Sequence, residues 1–165
     1  MAAFRSVALQ MGELTIRDAR PKDARIIAGF NMKMAMETEG RALDPKLINP
    51  GVAAVLEDAG KGRYWVAEAE GEVIGQLMVT YEWSDWRNGV FWWIQSVYVR
   101  EDRRRNGVFS VLHHHVVSLA RSTPGVCGVR LYVERRNRRA QKTYLALGMT
   151  SPGYQVMEID FRKGQ

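Results

Sequence analysis

Cysteine is nearly absent from this sequence, and its absence limits what the protein can be. The chain of 165 residues contains a single cysteine, Cys127, so no disulfide can form within it. Small secreted domains that depend on several disulfides are therefore excluded. Nothing in the cysteine content indicates an oxidising compartment, and we expect a cytoplasmic protein.

Long hydrophobic runs are absent as well. No uncharged stretch approaches the roughly 20 residues of a membrane-spanning helix. The first residues lack the apolar core of about 7–15 residues that marks a secretory signal peptide. No segment rich in proline, glycine or serine divides the chain. We expect a flexible tail over residues 1–12, with Met11 as an alternative start, and a single domain over residues 13–165.

Positive charge, in contrast, is in excess. The chain has 24 lysines and arginines against 18 acidic residues, which gives a net charge of +6. Such a balance favours an anionic partner: a nucleic acid, a membrane surface or a phosphorylated cofactor. The arginines concentrate at 103–105 and 135–139, but neither run is interleaved with stacking aromatic residues, as single-strand binding requires. A charged surface that only maintains solubility is the simpler alternative.

Hydrophobic periodicity predicts an α/β domain with a single mixed, mostly antiparallel central sheet flanked by helices on both faces. A first helix is predicted from Pro21, and a second one after Asn49-Pro50. Two more helices are predicted at 107–121 and 137–147. The predicted strands are 14–17, 64–70, 73–83, 90–99, 126–133 and 155–162.

The segment from Trp92 to Leu119 joins a buried strand, a charged turn and an amphipathic helix. Gly107 opens the helix and lets a ligand approach the backbone closely. The first turn of the helix offers unpaired N–H groups and the positive end of its dipole. Arginines lie just upstream. These features predict a site for a phosphate or pyrophosphate, although most glycine-bearing strand–turn–helix units bind no ligand.

Residues 104–109, RRNGVF, resemble the (Gln/Arg)-x-x-Gly-x-(Gly/Ala) signature of the GNAT superfamily of acyl-CoA-dependent N-acetyltransferases. The preceding Ser96–Val99 segment resembles the fourth strand of that family. One departure is Phe109, which occupies the second small position. The resemblance implies the acyl-CoA N-acyltransferase fold and acetyl-CoA as cosubstrate, with no metal. It also implies a set of cofactor-binding residues: Val97, Tyr98, Val99, Arg104, Arg105, Asn106, Gly107, Val108, Phe109 and Asn137.

A second segment, residues 137–149, resembles the family's Asn-x-x-Ala-x-x-x-Tyr-x-x-x-Gly-Phe pattern, with Met149 in place of the aromatic residue. The resemblance implies that Tyr144 approaches the thioester sulfur and assists the departing thiolate. Asn137 is also expected to cap the helix that it precedes. Each motif alone is weak evidence, but the two together, at this separation, are strong.

Acetyl transfer to an amine requires a neutral amine, whereas a free alkyl amine has a pKa of about 10. A base must therefore accept its proton near neutral pH. Glu82 is the first candidate, with Glu37, Glu39 and Asp85 behind it. The resemblance implies a backbone N–H at about Val97 or Val99 for the oxyanion. Because Cys127 lies in a predicted buried strand, direct transfer is favoured over an acetyl-cysteine intermediate.

The acceptor is expected to bind near Glu37, Glu39, Trp83 and Asp85, since acidic and aromatic side chains suit a cationic amine. A small primary amine is favoured, with a protein N-terminus or lysine left open. Trp83 and Trp86 are equally compatible with capping the core or forming a homodimer surface. The triplet His113–His115 cannot bind one metal, because successive helix residues point about 100° apart.

The sequence therefore predicts an acetyl-CoA-dependent N-acetyltransferase that transfers acetyl directly to a primary amine. Two alternatives of other classes remain. A non-catalytic acyl-CoA sensor would bind the cofactor without transfer. A basic nucleic-acid-binding module would lose affinity steeply with salt, but no element suited to enter a groove is evident, and this reading is less favoured.

Overall fold

The computed structural model describes residues 13–161, in two compact units that divide between Tyr132 and Val133. The predicted tail at residues 1–12 lies outside the described residues. The first unit contains five strands, three α-helices and two short 3-10 turns, at Pro21–Asp23 and Glu101–Arg103. Its elements are β1 Thr15–Asp18, α1 Ala24–Glu39, α2 Pro45–Glu57, β2 Arg63–Ala69, β3 Glu72–Ser84, β4 Gly89–Val99, α3 Val108–Ser122 and β5 Val126–Leu131.

The five strands form one sheet in the order β1-β2-β3-β4-β5. The first three pairs of neighbours are antiparallel, and β4 and β5 are parallel. The connection from β4 to β5 runs through α3, as a parallel pair requires a crossover. The predicted mixed, mostly antiparallel sheet is confirmed.

Alternate residues of each strand point to opposite sides of the sheet, and helices pack against both sides. On one face, Trp65, Leu77 and Trp92 form a buried cluster with Leu112 of α3. On the other face, residues of α1 and α2 pack with the strands in a second cluster, which includes Ile27, Phe30, Val52, Tyr64 and Tyr98. No helix within residues 13–161 is long and apolar enough to cross a membrane.

The predicted start of the second helix is wrong. α2 begins at Pro45 rather than after Asn49-Pro50, and Pro50 lies inside it. The reason is local: Asp44 accepts a hydrogen bond from the backbone N–H of Lys46 at 2.8 Å, and proline at the first helical position loses no intrahelical bond. Pro50 is exposed, so the bond that it removes lies on the solvent side.

The second unit begins at Val133 and contains one helix, α4, at Arg138–Ala146. The predicted final strand at 155–162 is wrong for residues 155–161, which form no strand, and Arg162 lies outside the described residues. A strand needs a neighbour for its backbone groups, and no strand pairs with this segment in the described part of the chain. Its apolar side chains are exposed, for example Met157 at 92% and Phe161 at 88%.

Candidate cofactor and acceptor site

The parallel strands β4 and β5 are paired along only half of β4. Their register runs from Val90 opposite Val126 to Ile94 opposite Leu131. Beyond Ile94, the edge of β4 that faces β5 pairs with no strand among the described residues, although its other edge stays paired to β3 as far as Val99. The predicted cofactor residues Val97, Tyr98 and Val99 lie on this half-open stretch. It offers backbone groups to an extended ligand.

A bulge marks the point where the two strands part. Between the pairs Met78–Gln95 and Gln76–Tyr98, β4 contains one residue more than β3. Ser96 lies in this bulge and has a positive φ of 50°, which non-glycine residues rarely adopt. The bulge changes the direction of the backbone at the start of the unpaired edge.

The N-terminus of α3 follows β4 after a short charged turn. Gly107 has a φ of 77°, and no side chain among residues 13–161 caps the helix. Arg105 is left-handed as well, at 66°. Helix α3 extends over 15 residues, so its first turn offers unpaired N–H groups and a positive dipole end. The predicted opening of the helix at Gly107 is confirmed. Val108 is buried in the core cluster and Phe109 packs against it, while Asn106 is half-buried.

Arg104 is fixed between the end of β4 and the end of α1. Its Nε donates to the carbonyl oxygen of Val99 at 2.9 Å, and its Nη2 donates to Glu37 Oε2 at 2.7 Å. The hydroxyl of Tyr98 donates to the other oxygen of Glu37 at 3.1 Å. Burial, followed by this hydrogen bond, raises the pKa of Tyr98. Glu37, predicted to bind the acceptor, therefore contacts two predicted cofactor residues.

The neighbouring arginines are largely neutralised. Arg100 pairs with Glu72 at 2.7 Å and with Asp102 at 2.6 Å, and Arg103 pairs with Glu70 at 2.8 Å. Arg105 is exposed. The charge of the 103–105 run is thus partly balanced by acidic residues, which weakens the prediction of a general nucleic-acid surface.

Glu82, the first candidate base, lies in a compact polar and aromatic cluster. Its Oε2 accepts from Trp93 Nε1 at 2.7 Å and its Oε1 accepts from Arg130 Nη1 at 2.8 Å. The guanidinium of Arg130 lies 3.6 Å from the ring centroid of Phe91, and Trp93 stacks on Tyr132 at 4.3 Å. The carboxylate is therefore held in one orientation. It is half-exposed.

The other predicted acceptor residues are dispersed. Trp83 follows Glu82 on β3, so its side chain lies on the opposite face of the sheet. Asp85 accepts from the backbone N–H of Trp86 at 2.9 Å in the hairpin turn. Trp83 is 62% exposed and Trp86 is 93% exposed. Glu39 is exposed in the last turn of α1. The homodimer surface at the two tryptophans stays a prediction.

The second unit carries the remaining two predicted residues. Asn137 Oδ1 accepts from the backbone N–H of Ala140 at 3.0 Å, so the predicted helix cap is confirmed. Tyr144 is half-buried on α4. Burial raises the pKa of Tyr144. The phenol is thus protonated at neutral pH and has a proton to donate.

The cysteine and the histidines lie on separate elements, β5 and α3. Among residues 13–161 no group of three or more His, Cys, Asp or Glu side chains could hold a metal ion. His113 is buried on α3 while His114 is exposed, as expected for successive helix positions. Cys127 lies half-buried on β5. The predicted burial of this strand is wrong, because β5 is at the edge of the sheet and all of its residues are partly exposed.

A buried polar chain was not predicted. Gln76 of β3, Asn31 of α1 and Tyr64 of β2 are 0%, 3% and 4% exposed. Gln76 donates to Asn31 Oδ1 at 2.7 Å, and Asn31 donates to the Tyr64 hydroxyl at 3.1 Å. The available signal was the glutamine within the otherwise apolar start of β3. Arg130 carried a similar signal in β5.

Taken together, the mixed sheet with its half-open parallel pair and the uncapped helix after β4 constitute the acyl-CoA N-acyltransferase fold. The sequence pattern of the Acetyltransferase (GNAT) family matches residues 33–149. The chain belongs to this family of acetyltransferases. A comparison with curated protein sequences finds no significant match.

Solved structures agree with this assignment. The chain is 44% identical to a possible acetyltransferase from Clostridium difficile 630, with a TM-score of 0.85, over 89% of this chain and 97% of that one. A predicted acetyltransferase with acetyl-CoA from Clostridium acetobutylicum is 16% identical, with a TM-score of 0.71, over 92% and 98% of the two chains. The ribosomal-protein-alanine N-acetyltransferase from Brucella melitensis biovar Abortus 2308 is 15% identical, with a TM-score of 0.71, over 90% and 100%. The last two similarities show the fold alone.

Proposed function

We propose that this protein is an acetyl-CoA-dependent N-acetyltransferase that moves acetyl directly to a primary amine of a small molecule. The observation that carries the proposal is the adjacency of two features. The edge of β4 that faces β5 is unpaired beyond Ile94 within the described residues, and the uncapped first turn of α3 begins at Val108, shortly after β4 ends. Acetyl-CoA has an extended pantetheine arm and a pyrophosphate, which match these two features in order.

In this proposal, the backbone N–H groups at Gly107, Val108 and Phe109 bind the pyrophosphate, since a helix N-terminus favours anions. The neighbouring Arg105 and Asn106 complete this loop. Arg104 adds a guanidinium that is already held at the end of β4. The backbone of Val97 and Val99 holds the pantetheine arm, and one of their N–H groups stabilises the oxyanion that forms during transfer. The family resemblance adds Asn137 beside the cofactor.

In this proposal, one side chain accepts a proton and another donates one. Glu82 accepts the proton of the attacking amine, directly or through water; each carboxylate oxygen has a second lone pair beyond the bond that it already accepts. Tyr144 donates a proton or hydrogen bond to the departing CoA thiolate, since a tyrosine with an ordinary pKa of about 10 is protonated at neutral pH. Positioning of the two reactants supplies much of the rate enhancement.

For the acceptor, we propose a small amine bound on the sheet face that carries Glu82, with Glu37 and Glu39 at the end of α1 supplying negative charge. Trp83 and Asp85 stay predictions for a part of the acceptor that extends past the β3–β4 hairpin. The proposed use of acetyl-CoA also suits a cytoplasmic location.

One observation favours a non-catalytic acyl-CoA sensor as the second candidate. Both carboxylate oxygens of Glu82 already accept hydrogen bonds, from Trp93 and Arg130. A base tied in this way would have to weaken its bond to Arg130 as it takes a proton. A sensor would bind acetyl-CoA with the same backbone groups and release no thiol.

The two candidates are separated by one assay. The purified protein is incubated with acetyl-CoA and a panel of amino acids, polyamines, amino sugars and lysine peptides, and CoA thiol release is followed with product identification by mass. A transferase shows release that depends on one class of amine. Binding of acetyl-CoA without amine-dependent release would favour the sensor.

A further inference from the structure

Gln76 is a buried amide that makes two hydrogen bonds, both as a donor. Its side chain is 0% exposed on β3. Nε2 donates to Asn31 Oδ1 at 2.7 Å and to the carbonyl oxygen of Ser96 at 3.2 Å. Oε1 has no hydrogen-bond partner among the described residues. Both donor hydrogens are used, while the acceptor is left unpaired.

Ser96, which receives one of these bonds, occupies the bulge of β4. Its φ of 50° is unfavourable for a residue with a side chain. Such a conformation persists only where the surroundings hold it. The extra residue breaks the ladder with β3 at this point, so the Ser96 carbonyl needs a donor from elsewhere. Gln76 supplies that donor from the neighbouring strand.

The orientation of the Gln76 amide is fixed from two other elements. Asn31 of α1 presents its oxygen to Gln76 and donates through Nδ2 to the hydroxyl of Tyr64 on β2 at 3.1 Å. A flipped Gln76 would direct its oxygen at two further oxygens, those of Asn31 and Ser96. The hydrogen-bond network therefore permits one amide orientation, and α1 and β2 transmit that constraint to the bulge.

Packing alone does not explain a glutamine at this position. A buried acceptor without a partner is destabilising, and methionine has nearly the same length without that defect. The residues opposite Gln76 on the two neighbouring strands are Val66 and Tyr98, and both are buried. The glutamine is therefore better explained by its hydrogen bond to the Ser96 carbonyl than by a contribution to core packing.

We propose that Gln76 is a positioning residue for acetyl transfer. It holds the Ser96 bulge, and through the bulge it sets the direction of the backbone N–H groups of Val97 and Val99 at the unpaired edge of β4. Gln76 itself touches neither reactant. This inference rests on the proposed function, which assigns the oxyanion and the pantetheine arm to those backbone groups.

The test compares Gln76→Met with His113→Met. His113 is the matched control, since it is also buried and also has an unpaired nitrogen among the described residues, but it packs on the opposite face of the sheet from Gln76. We expect Gln76→Met to lower kcat by at least about tenfold, which is less than the roughly 10²- to 10³-fold cost of removing an oxyanion donor outright. KM for acetyl-CoA should rise by a smaller factor than kcat falls, because the proposed pyrophosphate contacts at α3 do not depend on the bulge. The thermal midpoint should be unchanged or higher, and His113→Met should retain the wild-type kcat.

A second readout does not require turnover. The directions of the N–H bonds of Val97 and Val99 in the free protein, measured by NMR residual dipolar couplings, should change in Gln76→Met and stay unchanged in His113→Met. Asn31→Leu, which frees the Gln76 amide to turn, should give the same pattern if Gln76→Met folds poorly.

The possible outcomes distinguish the positioning role of Gln76 from the proposed acetyltransferase function. Wild-type kcat and unchanged N–H directions at Val97 and Val99 in Gln76→Met would overturn the positioning role. Lower stability with an unchanged kcat would also overturn it, because the glutamine would then be structural. If the wild-type protein releases no thiol with any amine, the proposed function fails, and the N–H directions at Val97 and Val99 alone decide whether Gln76 holds the bulge.

Discussion

The guanidinium of Arg104 and the carboxylate of Glu37 form an ion pair at 2.7 Å that joins the loop before α3 to the end of α1. The two residues are 67 positions apart in sequence. One belongs to the predicted cofactor site and the other to the predicted acceptor site. The pair therefore links the regions where the two substrates are proposed to bind.

This pair predicts opposite effects for its two members. Arg104→Ala should weaken CoA binding by about 10- to 100-fold, the loss of roughly 1.5–3 kcal/mol from a charged hydrogen bond. Glu37→Gln should tighten CoA binding at low salt, because the guanidinium is no longer neutralised. Calorimetric titration with CoA measures both. Weaker binding by Glu37→Gln would mean that the carboxylate serves mainly to hold Arg104 in place.

Glu82→Gln tests the proposed base. The amide keeps an acceptor for Arg130 or Trp93 but takes no proton, so kcat should fall by about 10²- to 10⁴-fold near neutral pH. Steady-state kinetics from pH 6 to 10 are the measurement, and the loss should shrink at high pH, where more of the amine is already neutral. Glu72→Gln is the matched control, since Glu72 is also on β3 and paired with an arginine, Arg100. Equal kcat for Glu82→Gln and wild type would assign the proton to solvent.

Asp23 should contribute strongly to stability. It is 4% exposed and accepts from Arg17 at 2.7 and 3.1 Å and from the Arg20 N–H at 2.7 Å. Asp23→Asn should cost about 3 kcal/mol, the lower end for breaking a buried pair, because Arg17 keeps its bond to Glu68. Urea unfolding measures this loss.

The carboxyl group of Asp23 should also make the free energy of unfolding depend on pH. The Arg17 guanidinium lowers the pKa of Asp23 in the folded protein. The contribution of Asp23 to the free energy of unfolding is therefore complete above its ordinary pKa of about 3.9, and it is lost as the pH falls through the pKa of the folded state. Asp58→Asn is the control: Asp58 also pairs with a cation, Lys61, but in an exposed turn. If the two variants unfold at the same urea concentration, burial does not strengthen the Asp23 pair.

His113 should make the protein less stable in mild acid. Burial lowers the pKa of His113, so the unfolded chain binds its proton more readily than the folded chain below pH of about 6.5. Stability from this group should fall as pH decreases through that value and level off below the folded pKa. His113→Met should flatten the slope of unfolding free energy between pH 7 and 5, whereas the exposed His114→Gln should keep most of it. An unchanged slope in His113→Met would mean that the titration of His113 does not cause the loss of stability in mild acid.

The local features of the site were predictable from sequence, whereas its long-range contacts were not. The opening of α3 at Gly107 and the cap at Asn137 depend on residues within a few positions of each other, so a motif contains the information. The Glu37–Arg104 pair and the Gln76–Ser96 bond depend on how distant segments pack. The prediction of a final strand at 155–162 failed for a related reason. An alternating apolar segment does not reveal whether a neighbouring strand is there to pair with it.

The most direct test concerns acetyl-CoA binding at the first turn of α3. Gly107 and Gly125 both have positive φ values, 77° and 80°, and a Cβ on either would meet no atom within 4 Å. Gly107→Glu and Gly125→Glu thus carry similar backbone strain, but only the first places a carboxylate at the proposed pyrophosphate site. Calorimetric titration with acetyl-CoA should show binding by wild type and Gly125→Glu, and at least about tenfold weaker binding by Gly107→Glu, since the added anion replaces attraction with repulsion. Absence of binding by the folded wild-type protein, or equal affinity in the two variants, would contradict a cofactor site at this helix.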